Sequence, residues 1–321
     1  MFSKRGVCMK PLIILTGPTA VGKTELSIAL AKSIGGEIIS ADSMQVYKYM
    51  DIGTAKIRPE EMQGVPHHLI DILEPDRALN VAVFKELAKA AVEEIYDRGH
   101  IPILVGGTGF YIQALLYDID FSEEDSDISI RKELEKIAAE KGPEYLHDML
   151  REVDLESAEQ IHANNVKRVI RALEYYRMHG EKISAHNAAE RQKKSPYDFL
   201  YFVLTHKREV LYERIEKRID KMLEAGLISE VDNLLKKGYD SSLVSMQGLG
   251  YKEFIPYLQG ERSLEEAVYI LKRDTRHFAK RQLTWFRRER DVRWLDKSRM
   301  SDEEILKDIL STMNKEWSLL K

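Results

Sequence analysis

Eight residues near the start, Gly17-Pro18-Thr19-Ala20-Val21-Gly22-Lys23-Thr24, have the composition and spacing of a phosphate-binding loop. Backbone N–H groups of such a loop form a nest for phosphate oxygens. Lys23 adds a mobile positive charge, and the Thr24 hydroxyl can ligate a magnesium ion. The apolar run Leu12-Ile13-Ile14-Leu15 precedes the loop and reads as a buried strand. A helix that starts at Lys23 aims the positive end of its dipole at the same anion. A plain surface turn would explain the glycines but neither the strand before them nor the helix after. The loop alone does not say which phosphate it holds, and a nucleoside triphosphate is the default.

A second chemical group follows. Asp42 comes just after a short apolar stretch, residues 37–40, that reads as the next strand. A carboxylate there can act as a general base near bound phosphates, cap a helix or join a magnesium shell. Asp71, in His67-His68-Leu69-Ile70-Asp71, is a competing magnesium candidate. The paired histidines look metal-like, but neighbours on a strand point to opposite faces, which favours a structural role. Gly106-Gly107-Thr108-Gly109 ends a third apolar run, residues 101–105. Its glycines permit close backbone approach, and Thr108 offers a hydroxyl.

The elements that must position these groups alternate strand and helix. Strands are expected over 12–15, 37–40, 68–72 and 101–105, with helices over 23–34 and 82–97. Such alternation predicts a parallel sheet with helices on both faces, whose ligands bind beyond the carboxyl ends of the strands. The phosphate loop, Asp42-Ser43-Met44-Gln45 and residues 106–109 would meet there. From about residue 118 to 196 the chain turns polar and helical, and acidic at first with Glu123, Glu124, Asp125 and Asp127. This reads as a helical insertion. Residues 199–204 (FLYFVL) restore a strand. Helices follow over 209–225, 228–237 and 264–289, then a late strand over 292–295 and a helix over 301–320. The expected class is α/β, a P-loop-type parallel sheet core flanked by helices, with a helical insertion domain. Residues 1–120 with 198–321 form the core, and 121–197 the insertion.

Composition narrows the class further. The 321 residues are 44% hydrophobic and 32% charged, as in soluble globular proteins. The single cysteine, Cys8, excludes an internal disulfide framework and a cysteine-based zinc site, and fits a reducing cytoplasm. No apolar stretch approaches the roughly 18 residues of a membrane span. Lys4, Arg5 and Lys10 before an apolar run mimic a signal peptide, but that run enters the phosphate loop. The net charge of -4 hides a local excess, because residues 272–293 carry nine Lys or Arg against three Asp or Glu. Arg273, Arg276, Lys280 and Arg287 fall on one helical stripe, with Phe278, Trp285 and Phe286 interleaved. Cations beside aromatics suit a nucleic-acid backbone and unstacked bases, or else a solvated face on a helix packed through its aromatics. Lys167, Arg168 and Arg171 likewise share a helical face, which is either solvated or an anion site.

In order along the chain, GPTAVGKT, ADSMQVYKYMDIGTAK, HHLID, VGGTGFY, NNVKRVIRALE, QGLGYKE and TRHFAKRQLTWFR resemble the tRNA dimethylallyltransferases, over about residues 12–287. The resemblance implies transfer of a dimethylallyl group from dimethylallyl diphosphate to N6 of the adenosine 3′ of the anticodon. It implies that Gly17, Pro18, Thr19, Ala20, Val21, Gly22, Lys23 and Thr24 hold a diphosphate rather than ATP, with Mg2+ on Thr24. Asp42 would be the base, Thr108 a second catalytic residue, and Arg218 a further cation on the leaving group. Contacts to tRNA would come from Asp42, Ser43, Met44, Gln45, Thr108 and Arg131. Lys167, Arg168 and Arg171 would add to them, as would Gln247, Gly248, Tyr251 and Lys252, and Arg276, Lys280 and Arg281. The target base must be extruded from the anticodon loop to reach such a site. Val21 stands where the family is expected to have serine, and Ile57-Arg58 intervenes before Pro59. The partners implied are the anticodon stem-loop of tRNA and dimethylallyl diphosphate, with no membrane, on a monomeric cytoplasmic protein. Two other readings use the same loop: a small-molecule kinase, which leaves the basic helices unexplained, and isopentenyl transfer to free adenosine phosphates.

Overall fold

The computed structural model describes residues 3–4, 7–8, 10–119, 128–190 and 192–317. The acidic run at Glu123, Glu124, Asp125 and Asp127 lies outside them. The chain divides into two compact units, Met1–Leu115 with Pro196–Lys321, and Leu116–Ser195.

The first unit opens with a two-residue antiparallel pair, β1 (Ser3–Lys4) and β2 (Val7–Cys8). Its body is a six-stranded parallel sheet. In chain order the strands are β3 (Pro11–Thr16), β4 (Gly36–Ala41), β5 (His67–His68), β6 (Ile101–Gly106), β7 (Asp198–Thr205) and β8 (Val292–Asp296). In space they run β5-β4-β6-β3-β7-β8, every pairing parallel. This is the expected α/β architecture. The central strand β3 is buried along its whole length, as a strand covered on both faces must be. Alternation sorts its side chains. Ile13 and Leu15 join Ile38, Ile103, Phe202 and Leu204 in one core cluster with α1 (Lys23–Ile34) and α12 (Asp302–Trp317).

The connecting helices begin and end where local chemistry requires. Helix α1 stops at Gly35, whose φ of 62° makes a left-handed cap bonded to Ala31 O. Helix α2 (Val81–Asp97) starts where the Asn80 side chain accepts the Val83 N–H. It packs on β4 and β6. Short α3 (Gly109–Leu116) leaves the end of β6. After β7 come α8 (Arg208–Glu224), α9 (Leu227–Lys236), short α10 (Ile255–Leu258) and the long α11 (Leu264–Phe286), which Ser263 caps.

The expected strand over 68–72 shrinks to two residues. Leu69 and Asp71 take positive φ values of 62° and 55°, which no strand tolerates. The chain turns there, and the N–H groups of Asp71 and Ile72 donate to Gln45 O and Val46 O. That pins the segment after β4 from its far side.

The second unit is helical: α4 (Ile128–Val153), α5 (Leu155–Gln160), α6 (Val166–His179) and α7 (Ile183–Glu190). Helix α4 is two helices joined at Gly142, followed by Pro143. Leu134, Leu146, Leu150, Val169, Ile170 and Leu173 form its core. Buried Asp154 caps both α5 and α7, accepting N–H and hydroxyl bonds from Ser157 and Ser184.

Candidate active site

Three loops beyond the carboxyl ends of β3, β4 and β6 meet at one cavity of about 490 Å³. The phosphate loop bends between β3 and α1. Ala20 and Gly22 are left-handed, with φ of 62° and 88°, and such alternation turns successive N–H groups toward one point. Lys23 folds over the loop and donates to Gly17 O and Pro18 O, each at 2.9 Å. Burial, then the neighbouring Arg218 charge, brings its ammonium down to about 8, against an opposing pull from Asp42. Arg218 reaches across from α8 and donates to Thr19 Oγ1 at 3.4 Å. Burial pushes its pKa down, while Asp42 holds it up. Two desolvated cations therefore act on one another and on the Asp42 carboxylate in this corner.

Asp42 Oδ1 accepts the Met44 N–H at 2.9 Å, which fixes the turn after β4. Asp42, Ser43 and Met44 all line the cavity. Gln45 does not. Its amide spans Ser40 Oγ at 3.1 Å and the carbonyls of Thr54 and Ala55 at 3.3 and 3.4 Å, so it shapes the wall behind. Thr108 lines the cavity, and its N–H donates to Ala41 O at 3.2 Å, next to Asp42. The flanking glycines are required by close approach rather than by φ. A Cβ on Gly107 would lie 2.1 Å from Gln282 Nε2, and one on Gly109 2.2 Å from the Trp285 ring. Helix α11 thus packs directly on this turn.

The opposite wall comes from Gln247, Gly248 and Lys252, with Ile215, Met222 and Leu271 supplying apolar surface. Phe278 and Arg281 of α11 also line it. Tyr251 does not reach the cavity. Its side chain is fully buried and its hydroxyl donates to Glu230 Oε1 at 2.7 Å. Glu230, on α9, also accepts the N–H groups of Asp51, Ile52 and Gly53 at 2.8–3.1 Å. One carboxylate so ties two walls together.

The remaining candidate residues divide by what they already hold. Arg276 pairs with Glu216 at 2.7 Å, and Arg273 with Asp274 at 2.8 Å, whereas Lys280 and Arg281 are exposed. Trp285 and Phe286 of the aromatic stripe pack inward. In the helical unit, Arg131 pairs at 2.6 Å with the buried Glu174, while Lys167, Arg168 and Arg171 are exposed on α6. Asp71 and Asp51 share the buried Lys56 ammonium. His68 and His100 each hold Glu37 at 2.6 Å.

Among the described residues no group of three or more His, Cys, Asp or Glu could hold a metal. Thr24 is exposed on the first turn of α1, directly after Lys23 of the phosphate loop. One hydroxyl with bound phosphate oxygens and waters fits a magnesium ion, which seldom has an all-protein cage. Glu230 lies outside every motif quoted above, and Gln282 lies inside TRHFAKRQLTWFR with no role assigned there. Both are polar residues on helices, and only their distant partners mark what they do.

Known proteins align with the whole of this arrangement. The family model described as IPP transferase matches residues 45–289. A tRNA dimethylallyltransferase from Lachnoclostridium phytofermentans is 63% identical over 306 residues, covering 95% of this chain and 98% of the relative. The crystal structure of a tRNA delta(2)-isopentenylpyrophosphate transferase from Staphylococcus epidermidis is 46% identical, with a TM-score of 0.71 over 95% of this chain and 99% of the other. A eukaryotic dimethylallyltransferase acting on tRNA is 31% identical, with a TM-score of 0.81 over 95% of this chain and 79% of its own. Identity of this extent along nearly the full length makes the chain a member of the IPP transferase family, among the tRNA dimethylallyltransferases.

Proposed function

We propose that the chain transfers a dimethylallyl group from dimethylallyl diphosphate to N6 of the adenosine 3′ of the tRNA anticodon. The observation that carries this reading is the corner where Lys23, Arg218 and Asp42 act on one another beside the phosphate loop. Cations and loop N–H groups receive a departing diphosphate there, and a carboxylate stands beside them to take a proton.

The chemistry divides accordingly. The C1–O bond of the donor breaks and its electrons leave with the diphosphate. N6 of the adenine forms the new bond to C1 and gives up a proton to Asp42. An adenine amino group is a poor nucleophile, so a base at the nitrogen helps. Positive charge develops at the allylic carbon and negative charge on the leaving oxygens, so fixed donors aimed at the diphosphate should dominate. Lys23, Arg218 and the loop from Gly17 to Thr24 supply them. Magnesium, when bound at Thr24, would neutralise part of the diphosphate charge. Thr108, Ser43 and Met44 would frame the extruded base, with Gln247, Gly248 and Lys252 opposite. Exposed Lys280 and Arg281 on α11, and Lys167, Arg168 and Arg171 on α6, would hold tRNA phosphates. Arg131 and Tyr251 would act through the elements that they brace. The acting form would be a monomer, with residues 121–197 as an insertion domain for the RNA.

Titration calorimetry tests the donor assignment. Dimethylallyl diphosphate should bind in the presence of magnesium, and ATP should not. Micromolar binding of ATP without binding of the prenyl donor would return the site to a kinase reading.

A further inference from the structure

Gln282 lies on α11 and is 6% exposed. Its Oε1 accepts the Thr19 N–H at 2.9 Å, and its Nε2 donates to Gly107 O at 3.0 Å. The partners fix the amide orientation, because an N–H must face the oxygen and a carbonyl must face the NH2. These residues are far apart in sequence, by 263 and 175 positions. One belongs to the phosphate loop, the other to the turn that carries Thr108. That turn also fixes Asp42. Gly106 lies against the Ala41 carbonyl so closely that a Cβ would come within 2.3 Å, and the Thr108 N–H donates to the same carbonyl.

We propose that Gln282 is a positioning residue for the transfer step: its amide sets the register between the loop that grips the leaving diphosphate and the turn that presents the acceptor base. This rests on the function proposed above. The argument is geometric. Attack by N6 on C1 needs the donor carbon and the acceptor nitrogen in line, near van der Waals contact. The diphosphate end of the donor is fixed by residues 17–24, and the base by Asp42 and Thr108. The two halves follow different strands, β3 for one and β4 and β6 for the other, with β6 lying between β3 and β4. The strand ends meet where Thr16 Oγ1 donates to Gly106 O at 2.6 Å, and the loops run on past that point. Gln282 joins the tips directly. Both of its polar ends are used, so an apolar replacement leaves a half-buried N–H and a buried carbonyl without partners. A misplacement of about 1 Å can cost about a hundredfold in rate while leaving each ligand bound.

The test uses the full chain with Gln282→Met, close in shape but unable to hydrogen-bond, and Gly107→Ala, whose methyl would press on Nε2 from the other side. Single-turnover transfer to unmodified tRNA, KM for the donor and Kd for tRNA would be measured for each, with thermal melting as a control. Expected is a loss of about 30- to 100-fold in the single-turnover rate in both variants, with both affinities within about threefold of the unaltered chain. A purely structural role predicts loss of affinity and melting temperature in step with rate. A rate within about threefold of normal in either folded variant, or parallel losses of rate and affinity, would overturn the assignment. If Gln282→Met does not fold, Gly107→Ala decides alone by the same criteria. Absence of transfer by the unaltered chain would instead overturn the proposed function itself, and the positioning role with it.

Discussion

Raising the pH from 7 to 9 should weaken capture of the donor without slowing the bound complex. The Lys23 ammonium is brought from 10.5 to about 8, by burial first and by Arg218 second. A group at that value is about nine-tenths charged at pH 7 and about one-tenth charged at pH 9. The charged form grips the diphosphate, so kcat/KM for the donor should fall about tenfold across that range, because this ratio reports the free enzyme. Bound diphosphate favours the ammonium and raises its pKa, so kcat at saturating donor should stay flat. Stability should move the opposite way. Unfolded, Lys23 keeps its ordinary value of 10.5 and binds its proton more readily than the folded chain does. The unfolding free energy contributed by this group therefore rises as pH climbs from about 8 to 10.5. Lys23→Arg carries its charge across the whole range and should flatten the kcat/KM profile. Steady-state assays at fixed ionic strength would read this directly. A flat profile in the unaltered chain, or the same decline in Lys23→Arg, would refute the reasoning.

Asp42→Ala should lower the single-turnover rate by about 10²- to 10⁴-fold while tRNA affinity largely survives, and an unchanged rate would sink the base assignment. Lys280→Ala with Arg281→Ala should reduce the slope of log affinity for tRNA against log salt by about one per lost phosphate contact; an unaltered slope would remove that end of α11 from the interface. Burial alone would push Glu37 up, but hydrogen bonds from Arg98, His100 and His68 outweigh it and bring the carboxyl to about 2 from 4.5. Its contribution is present above pH 4.5 and lost as pH falls toward 2, about 3 kcal/mol in all. Denaturant titrations from pH 6 to 2.5 should show that loss in the unaltered chain and not in Glu37→Gln.

What was legible in the sequence was whatever is local. The phosphate loop, its strand and its helix follow one another, so composition and order sufficed. The parallel sheet followed from alternation alone. The strand expected over 68–72 failed because two positive-φ residues, Leu69 and Asp71, turn the chain, and neither residue type announces that. The basic stripe of α11 was visible, but not that Arg276 would be taken by Glu216, or that Trp285 would pack on Gly109. Residue type named the charges, and only tertiary partners told which were spent. Glu230, and the part that Gln282 plays within its motif, are hidden in the sequence for the same reason. A glutamate and a glutamine on amphipathic helices are ordinary, and their partners Asp51, Ile52, Gly53, Thr19 and Gly107 lie more than 170 positions away.

The central claim concerns the acceptor as much as the donor. Radiolabelled dimethylallyl diphosphate, incubated with the chain and either unmodified tRNA or AMP, tests it most directly. Label should enter tRNA and be recovered, after digestion, on N6 of the adenosine 3′ of the anticodon, with none on AMP. Label on AMP and none on tRNA, or label on neither, would contradict the account.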